Sequence, residues 1–256
     1  MTKLKQQCIE TFELDVTISS SIQDIKAQVV KLTDGTLDIL VNNAGVCYES
    51  TASDDTMDKI RSLYAVNLFG TMEMTQAFVP LLVAANKRQA PGFEYARIVQ
   101  IGSIAAVCPS PFYAAYNSSK AALLQYGNTL RIELEPFGVK VITINTGKVQ
   151  TRILRESSQW CLPESSMYKP INESYEAFGR KVLTAKSTCV QDYAQHAVKH
   201  ILKKDAAPFL WTADQSLFTR MVVALFPWTF WDRLLRPIFG LDKLATLVKL
   251  EKAKNV

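Results

Sequence analysis

The chain predicts an α/β fold: a doubly wound parallel sheet with helices on both faces. Short apolar runs rich in β-branched residues recur at Leu37–Val41, Ala96–Ile101 and Val139–Asn145. Longer stretches with apolar residues at helical spacing separate them, and strand–helix alternation of this kind builds a parallel sheet covered on both sides. At 256 residues, 48% hydrophobic and 21% charged, the chain fits one domain with a substantial core.

Taken in order, Cys8–Val16 reads as a strand. Ser19–Leu32 reads as a helix, with Ser19, Ser20 or Ser21 available as N-cap and Ile22, Ile25 and Val29 on one side. Leu37–Val41 is the next strand. Asp54–Asn86 carries a long helix, expected to break or shift near Pro80. Asn86–Gly92 is a polar loop and Ala96–Ile101 a buried strand. Phe112–Glu135 is a helix stopped by Pro136 and Gly138. Val139–Asn145 is a strand, Gln191–Lys203 a helix and Ala207–Trp211 the last strand.

The most informative stretch is Tyr116-Asn117-Ser118-Ser119-Lys120. Residues four apart on a helix share a face, so the Tyr116 phenol and the Lys120 ammonium can point into one cleft. A free phenol, with a pKa near ~10, is a poor acid–base catalyst at neutral pH, and a nearby cation lowers that value. The pair suits proton transfer to or from a carbonyl or alcohol oxygen. Alone it is a weak signal. Three further segments strengthen it: Leu40-Val-Asn-Asn-Ala-Gly45 at a strand end, Val66-Asn67-Leu68, and Ile98-Val-Gln-Ile-Gly-Ser103 at a second strand end.

In order and spacing these segments resemble the short-chain dehydrogenase/reductase family over roughly residues 8–211. The resemblance implies that Ser103 positions the substrate oxygen and that Tyr116 transfers the proton. It implies that Lys120 lowers the Tyr116 pKa and binds the nicotinamide ribose, and that Asn67 holds a relay water. Asp15 and Asn43 would flank the adenine side of the cofactor, although an asparagine at such a turn often merely caps the loop. Val149 and Thr151, in Asn145-Thr-Gly-Lys-Val-Gln-Thr151, would hold the nicotinamide amide; Thr146 stands where the family has proline, which should loosen the turn. NADP(H) is the expected cofactor, with NAD left open. The expected reaction moves a hydride between it and a small lipophilic ketone or alcohol.

The family usually opens with a strand and a Gly-rich turn that takes the cofactor diphosphate at a helix N-terminus. This chain has no Gly-x-Gly, and its first glycine is Gly35. Cys8–Thr17 looks like the family's third strand, ending in Leu-Asp-Val-Thr. The expected fold is thus a Rossmann sheet lacking its first two strands and its phosphate loop. Those two strands normally separate Cys8–Val16 from Leu37–Val41. Either a gap remains or Cys8–Val16 pairs in parallel with Leu37–Val41, and closure is the favoured expectation because unpaired edges are costly. Closure would bring the Asp15 charge towards the diphosphate position. A degenerate chain without cofactor binding is the competing reading from another class.

Residues 1–211 form the expected dehydrogenase domain, with a variable lid at about 153–186 carrying Trp160, Tyr168, Tyr175 and Phe178. These aromatics either face an apolar substrate or pack locally. Residues 212–256 form an aromatic-rich extension. Met221–Trp231 is uncharged, contains Phe226, Trp228, Phe230 and Trp231, and is flanked by Arg220, Arg233 and Arg236. It is too short to cross a bilayer. It reads as an interfacial anchor over 218–239, or as a cover for the substrate site or a subunit interface in a homo-oligomer. The tail is similar to those of fungal 1-acyldihydroxyacetone-phosphate reductase-like members, which use NADPH and whose relatives serve secondary-metabolite pathways. That similarity raises a lipid reductase as an alternative.

Five scattered cysteines without Cys-x-x-Cys argue against a disulfide framework or zinc site and for a reducing compartment. His196 and His200 are four apart but lack a third ligand, so a solvated helix face is expected and no metal. A net charge of +5 without a basic cluster gives no reason to invoke nucleic acid. No signal peptide is visible in the first residues. The expected location is cytoplasmic, at most peripheral to endoplasmic reticulum or lipid droplets.

Overall fold

A computed structural model of the chain describes residues 4, 6–87, 95–153 and 160–254. Its centre is a four-stranded parallel sheet in the order β1-β2-β3-β4, with β1 Ile39–Asn42, β2 Arg97–Ile101, β3 Lys140–Thr146 and β4 Phe209–Thr212. The register places Val41 opposite Val99, Val99 opposite Ile142, and Ile144 opposite Leu210. The central strands β2 and β3 are buried on both faces, as a parallel sheet requires, whereas Val41 on the outer strand β1 is exposed. On one face Leu40, Ile98, Val139 and Val141 meet helix α1 (Ser19–Thr33), helix α3 (Thr71–Lys87) and helix α4 (Ala114–Leu134) through Ile22, Phe78, Leu82 and Leu130. On the other, Val99, Ile142 and Ile144 pack on Ala197 and Ile201 of α6 (Val190–Ile201).

The closure expected at the first strand does not occur. Cys8–Val16 forms no strand and no ladder with β1, which pairs with β2 alone. Two interactions hold this segment elsewhere. The Asp15 carboxylate accepts from the Thr17 N–H (2.8 Å) and hydroxyl (2.7 Å), which turns the chain before α1. Val16 then lies against Gly70, where an added Cβ would stand 2.6 Å from the Val16 carbonyl oxygen. Phe12 and Val16 pack onto the first core cluster instead of extending the sheet.

The first helix forms as expected, but Ile18 is its N-cap and no side chain caps it. Ser21 instead accepts from the Asp15 N–H at 3.0 Å. The long helix also departs from expectation. It begins as α2 (Met57–Tyr64), with Thr56 accepting from the Lys59 N–H, and continues without a break through a π-helical turn, Ala65–Gly70, into α3. The shift falls at that turn and not at Pro80. Gln76 and Pro80 lie on the exposed side of α3, where solvent can take the carbonyl freed by the proline. Of the loop expected at Asn86–Gly92, residues 88–92 lie outside the described residues, as do 154–159 of the lid.

His196 and His200 are not simply solvated. His196 Nδ1 meets Thr212 Oγ1 at 2.7 Å, and His200, buried, meets the Ala207 carbonyl through Nε2 at 2.9 Å. Both tie α6 to the approach and end of β4. Among the described residues no cluster of three metal-ligating side chains occurs, and the five cysteines are free.

The lid contains α5 (Asn172–Thr184), and the extension folds as α7 (Ser216–Leu225), α8 (Phe230–Ile238) and α9 (Leu241–Lys254). Phe239 is buried against Phe112 and Phe178, with ring centroids 5.6 and 4.1 Å apart, so extension and lid share one aromatic cluster.

Replacing Gly70 tests the seat of Cys8–Val16. Gly70→Ala is expected to cost about 1–3 kcal/mol by overpacking against Val16, read as a lower urea midpoint. An unchanged midpoint would show that the segment does not bear on the π-helical turn.

Candidate active site

The site forms where β1, β2 and β3 end. Ser103 follows β2 and is buried; its Oγ accepts from the Ala105 N–H at 3.1 Å. That hydroxyl is also near enough to the Tyr116 phenol to act on its pKa, in the lowering direction. Tyr116 and Lys120 stand one turn apart on α4, as their spacing predicts. Lys120 is buried, and its Nζ donates to the Ile101 carbonyl at 3.1 Å. It lies 5.9 Å from the Tyr116 ring centroid. A Cβ on Gly45 would stand 3.6 Å from that Nζ and 3.4 Å from Asn67 Oδ1, so the loop after β1 passes directly over both residues.

Asn67 is fully buried in the π-helical turn. Its Oδ1 accepts from the Val46 N–H at 2.8 Å. Its Nδ2 donates to the Val46 carbonyl at 2.9 Å and to Ser119 Oγ at 3.1 Å. Ser119 in turn donates to the Tyr116 carbonyl at 2.8 Å. One amide therefore joins the β1 loop to the helix that carries the tyrosine. The four expected catalytic residues converge.

The four expected cofactor residues outside that cluster are placed differently. Asn43 is exposed on the loop after β1. Its neighbour Asn42, which the motif alone does not single out, is buried and donates to Thr75 Oγ1 (3.2 Å) and Gln100 Oε1 (3.3 Å). Val149 bridges Thr188, and the Thr151 N–H turns back to the Val149 carbonyl at 2.8 Å. Gly147 is needed here, because a Cβ would stand 1.9 Å from the Asp214 carbonyl oxygen. The loosening expected from Thr146 is offset, since its hydroxyl meets the Tyr193 hydroxyl at 2.8 Å. Asp15 stays apart. It borders an open cavity of about 660 Å³ with Glu13, Asp24 and Gln28, and its carboxylate bonds end on Thr17.

Burial governs the electrostatics. It raises the Tyr116 phenol above its ordinary value, Cys47 and Tyr193 add to the rise, and Ser103 opposes it. Burial also lowers Lys120 to about 8, with Cys47 opposing. The expectation that Lys120 depresses the Tyr116 pKa is therefore not met here. The ammonium is itself desolvated and sits on a backbone carbonyl, so it is poorly placed to favour a second buried charge. Cys47, two residues beyond Gly45, is a member of the site that the motifs do not reveal. It is buried, and desolvation first, then Glu49, pushes its thiol up to about 12 against the pull of Lys120. Such a thiol packs and does not act as a nucleophile.

The comparisons agree with this geometry. The family model for short chain dehydrogenases matches residues 1–162. Short-chain dehydrogenase virD of Hypocrea virens is 40% identical over 247 residues, covering 95% of this chain and 82% of that protein. The NADPH-dependent 1-acyldihydroxyacetone phosphate reductase of Schizosaccharomyces pombe is 40% identical over 174 residues, covering 66% of this chain and 56% of that protein. A solved short-chain dehydrogenase from Streptomyces avermitilis superposes with a TM-score of 0.66 at 22% identity, covering 96% of this chain and 80% of that one. Fold and site together define a Rossmann-type oxidoreductase. The chain belongs to the short-chain dehydrogenase family, whose members use NAD or NADP.

The lowered Lys120 pKa predicts a pH-dependent stability. Between about 8 and the ordinary 10.5 the unfolded chain holds the lysine proton and the folded chain does not, so stability rises with pH across that window. Relative to Lys120→Met, the wild type is expected to gain up to about 3 kcal/mol from pH 8 to 10.5, measured by urea unfolding at each pH. Parallel stability curves would show that Lys120 does not titrate in that window.

Proposed function

We propose that the chain is an NADP(H)-dependent reductase of a lipophilic ketone or aldehyde. The observation that carries this reading is the convergence of Ser103, Tyr116 and the buried Lys120, whose Nζ lies 5.9 Å from the Tyr116 ring centroid. The preference for NADP(H) draws on the S. pombe relative, whose name states NADPH. The nicotinamide end of a cofactor fits these residues. Lys120 has one acceptor, Ile101, for three N–H donors, and Gly45 leaves backbone alone over it. For the diphosphate end, the chain has no Gly-x-Gly.

When bound, the nicotinamide supplies the hydride. Ser103 holds the substrate oxygen by a hydrogen bond, and Tyr116 passes its proton to that oxygen. Burial keeps the phenol protonated at neutral pH, the state that carbonyl reduction requires. Lys120 fixes the ribose side and Asn67 fixes the loop above it. A second reading is a chain that has kept the catalytic cluster without gripping the cofactor. A lipid ketone such as an acyl-dihydroxyacetone phosphate is the alternative substrate, supported by the same relative.

We further propose that α7 and the turn after it rest on an anionic lipid surface. Leu225 (74% exposed), Trp228 (63%) and Met221 (55%) protrude together with Phe226, which stacks on Phe230 at 4.3 Å. Exposed Arg220 and Arg233 flank them, which suits acidic headgroups. Helical run Met57–Lys87 is long and apolar enough to cross a membrane, but half of its most apolar window is buried in the fold.

Nicotinamide fluorescence during titration of this chain with NADPH separates the two readings: enhanced emission supports the reductase, and no binding at millimolar cofactor supports the degenerate chain. With a hydrophobic aldehyde as substrate, Tyr116→Phe is expected to lower kcat by about 10²–10⁴ while leaving the urea midpoint in place. Activity within about twofold of wild type would sink the proton-donor role.

For the surface, the chain is expected to sediment with vesicles of phosphatidylcholine and phosphatidylserine. Phe226→Ser combined with Trp228→Ser should reduce the bound fraction about tenfold or more. Failure to sediment, or loss of a dimer instead of lipid binding in the double variant, would overturn the lipid assignment.

A further inference from the structure

The segment Cys8–Val16 is lightly anchored, and it ends against the turn that carries Asn67. Among the described residues no backbone hydrogen bond ties residues 10–14 to another element. Phe12 and Val16 pack on the first core cluster, whereas Ile9 and Leu14 are exposed. An open cavity of about 660 Å³ lies between part of the segment and α1, with Thr11 and Glu13 on one side and Ser20, Asp24 and Gln28 on the other. A turn fixes the end of the segment. The Asp15 carboxylate accepts from the N–H and the hydroxyl of Thr17, the Asp15 N–H donates to Ser21 Oγ at 3.0 Å, and the Ile18 N–H closes on the Asp15 carbonyl at 3.2 Å.

That turn presents Val16 to Gly70, the last residue of the π-helical turn, which is buried. A Cβ on Gly70 would stand 2.6 Å from the Val16 carbonyl oxygen and 2.9 and 3.0 Å from its Cγ2 and Cβ. Backbone and side chain of Val16 both fill the space beside the turn. Asn67 stands three residues before Gly70 in the same turn, and its amide grips Val46 and Ser119. A π turn holds more residues than the α turn it replaces. A one-residue change of register rotates a helical side chain by roughly 100° about the axis, enough to take Asn67 off both partners.

We propose that Asp15 is a positioning residue for the candidate catalytic cluster. Through its bonds to Thr17 it seats Val16 on Gly70, and that seat holds the π-helical turn in the form that aims Asn67 at the β1 loop and at Ser119. The path ends where Gly45 passes over the Lys120 Nζ. The segment works as a strap: seated, it keeps the β1 loop clamped; released, it lets the loop lift. Asp15 acts through an acceptor oxygen and not through its charge, because its partners are an N–H and a hydroxyl. The inference stands apart from the choice of cofactor and substrate.

Cys47 reports the state of the loop. It follows Val46 directly and is buried, and desolvation first, then Glu49, holds its thiol up to about 12. Lifting the loop exposes the thiol and returns its reactivity towards that of a free cysteine. The test is the rate of N-ethylmaleimide labelling of Cys47 in the full chain, read by mass spectrometry of its peptide. Asp15→Ala is expected to raise that rate about tenfold by local opening. Asp15→Asn keeps the acceptor oxygen and should stay within about twofold of wild type. Val222→Ala, a truncation of a buried residue in α7, lowers the urea midpoint by leaving a cavity but should leave Cys47 labelling within about twofold. In Asn67→Ala the link is already cut, so adding Asp15→Ala should change the rate by less than about twofold. Unchanged labelling in Asp15→Ala, equal acceleration in Asp15→Asn, or acceleration in Val222→Ala as large as in Asp15→Ala overturns the positioning role. Should Asn67→Ala fail to fold, the two Asp15 variants and the Val222 control decide alone.

Discussion

The side chain of Asn67 is the constraint on which the site depends. A carboxamide has one acceptor oxygen and two N–H donors, and here the oxygen and the nitrogen reach two different elements. The oxygen and one N–H close on Val46, so the loop after β1 is held as if by a strand partner. The nitrogen also reaches Ser119, which is bonded to the carbonyl of Tyr116. Losing the amide would release the β1 loop and the catalytic helix together. The π-helical geometry of Ala65–Gly70 goes with this role, since such turns often sit at functional sites within long helices. Gly70 closes the same turn and receives Val16, so the N-terminal segment leans on the element that organises the centre.

The charges obey a second constraint, which is burial. A sequence places Lys120 near Tyr116 and suggests that cation and phenol help each other. In the fold both groups are desolvated, and desolvation acts oppositely on the two: it favours neutral lysine and neutral tyrosine. The result is a phenol that keeps its proton and an ammonium lowered to about 8. Cys47 completes the picture, because a thiol held at about 12 stays neutral and adds no charge of its own at physiological pH.

Much of this was legible in the sequence, and the failures have physical causes. The strands β1, β2 and β3 and the helices α1, α4 and α6 announce themselves because a buried parallel strand and an amphipathic helix leave strong patterns. Ser103, Asn67, Tyr116 and Lys120 were legible because order and spacing survive in the chain. Cys8–Val16 was misread because its composition suits a strand while its fate is decided by Asp15, Thr17 and Gly70, contacts that no local pattern encodes. Pro80 suggested a break, yet the helix runs on because the freed carbonyl faces outward. His196 and His200 looked like surface residues until β4 came beside them. Asn42 lies inside the Leu40–Gly45 motif, but its role is set by Thr75 and Gln100, partners distant in sequence; Cys47 carried only its place two residues beyond Gly45.

The aromatic cluster divides the molecule's tasks in space. The candidate proton-transfer residues come from the end of β2, the π-helical turn and α4. The wall beside them is assembled from three separate stretches: Phe112 and Tyr113 ahead of α4, Trp160 with Tyr175 and Phe178 in the lid, and Phe239 from the extension. Edge-to-face contacts such as Phe112 on Tyr175, at 4.9 Å and 85°, each contribute about 0.5–1.5 kcal/mol beyond burial. The extension is therefore part of the wall's support: Phe239 is buried in the cluster while Trp228 projects from the opposite end of α8. A contact at that outer face would bear on the helix that braces the lid.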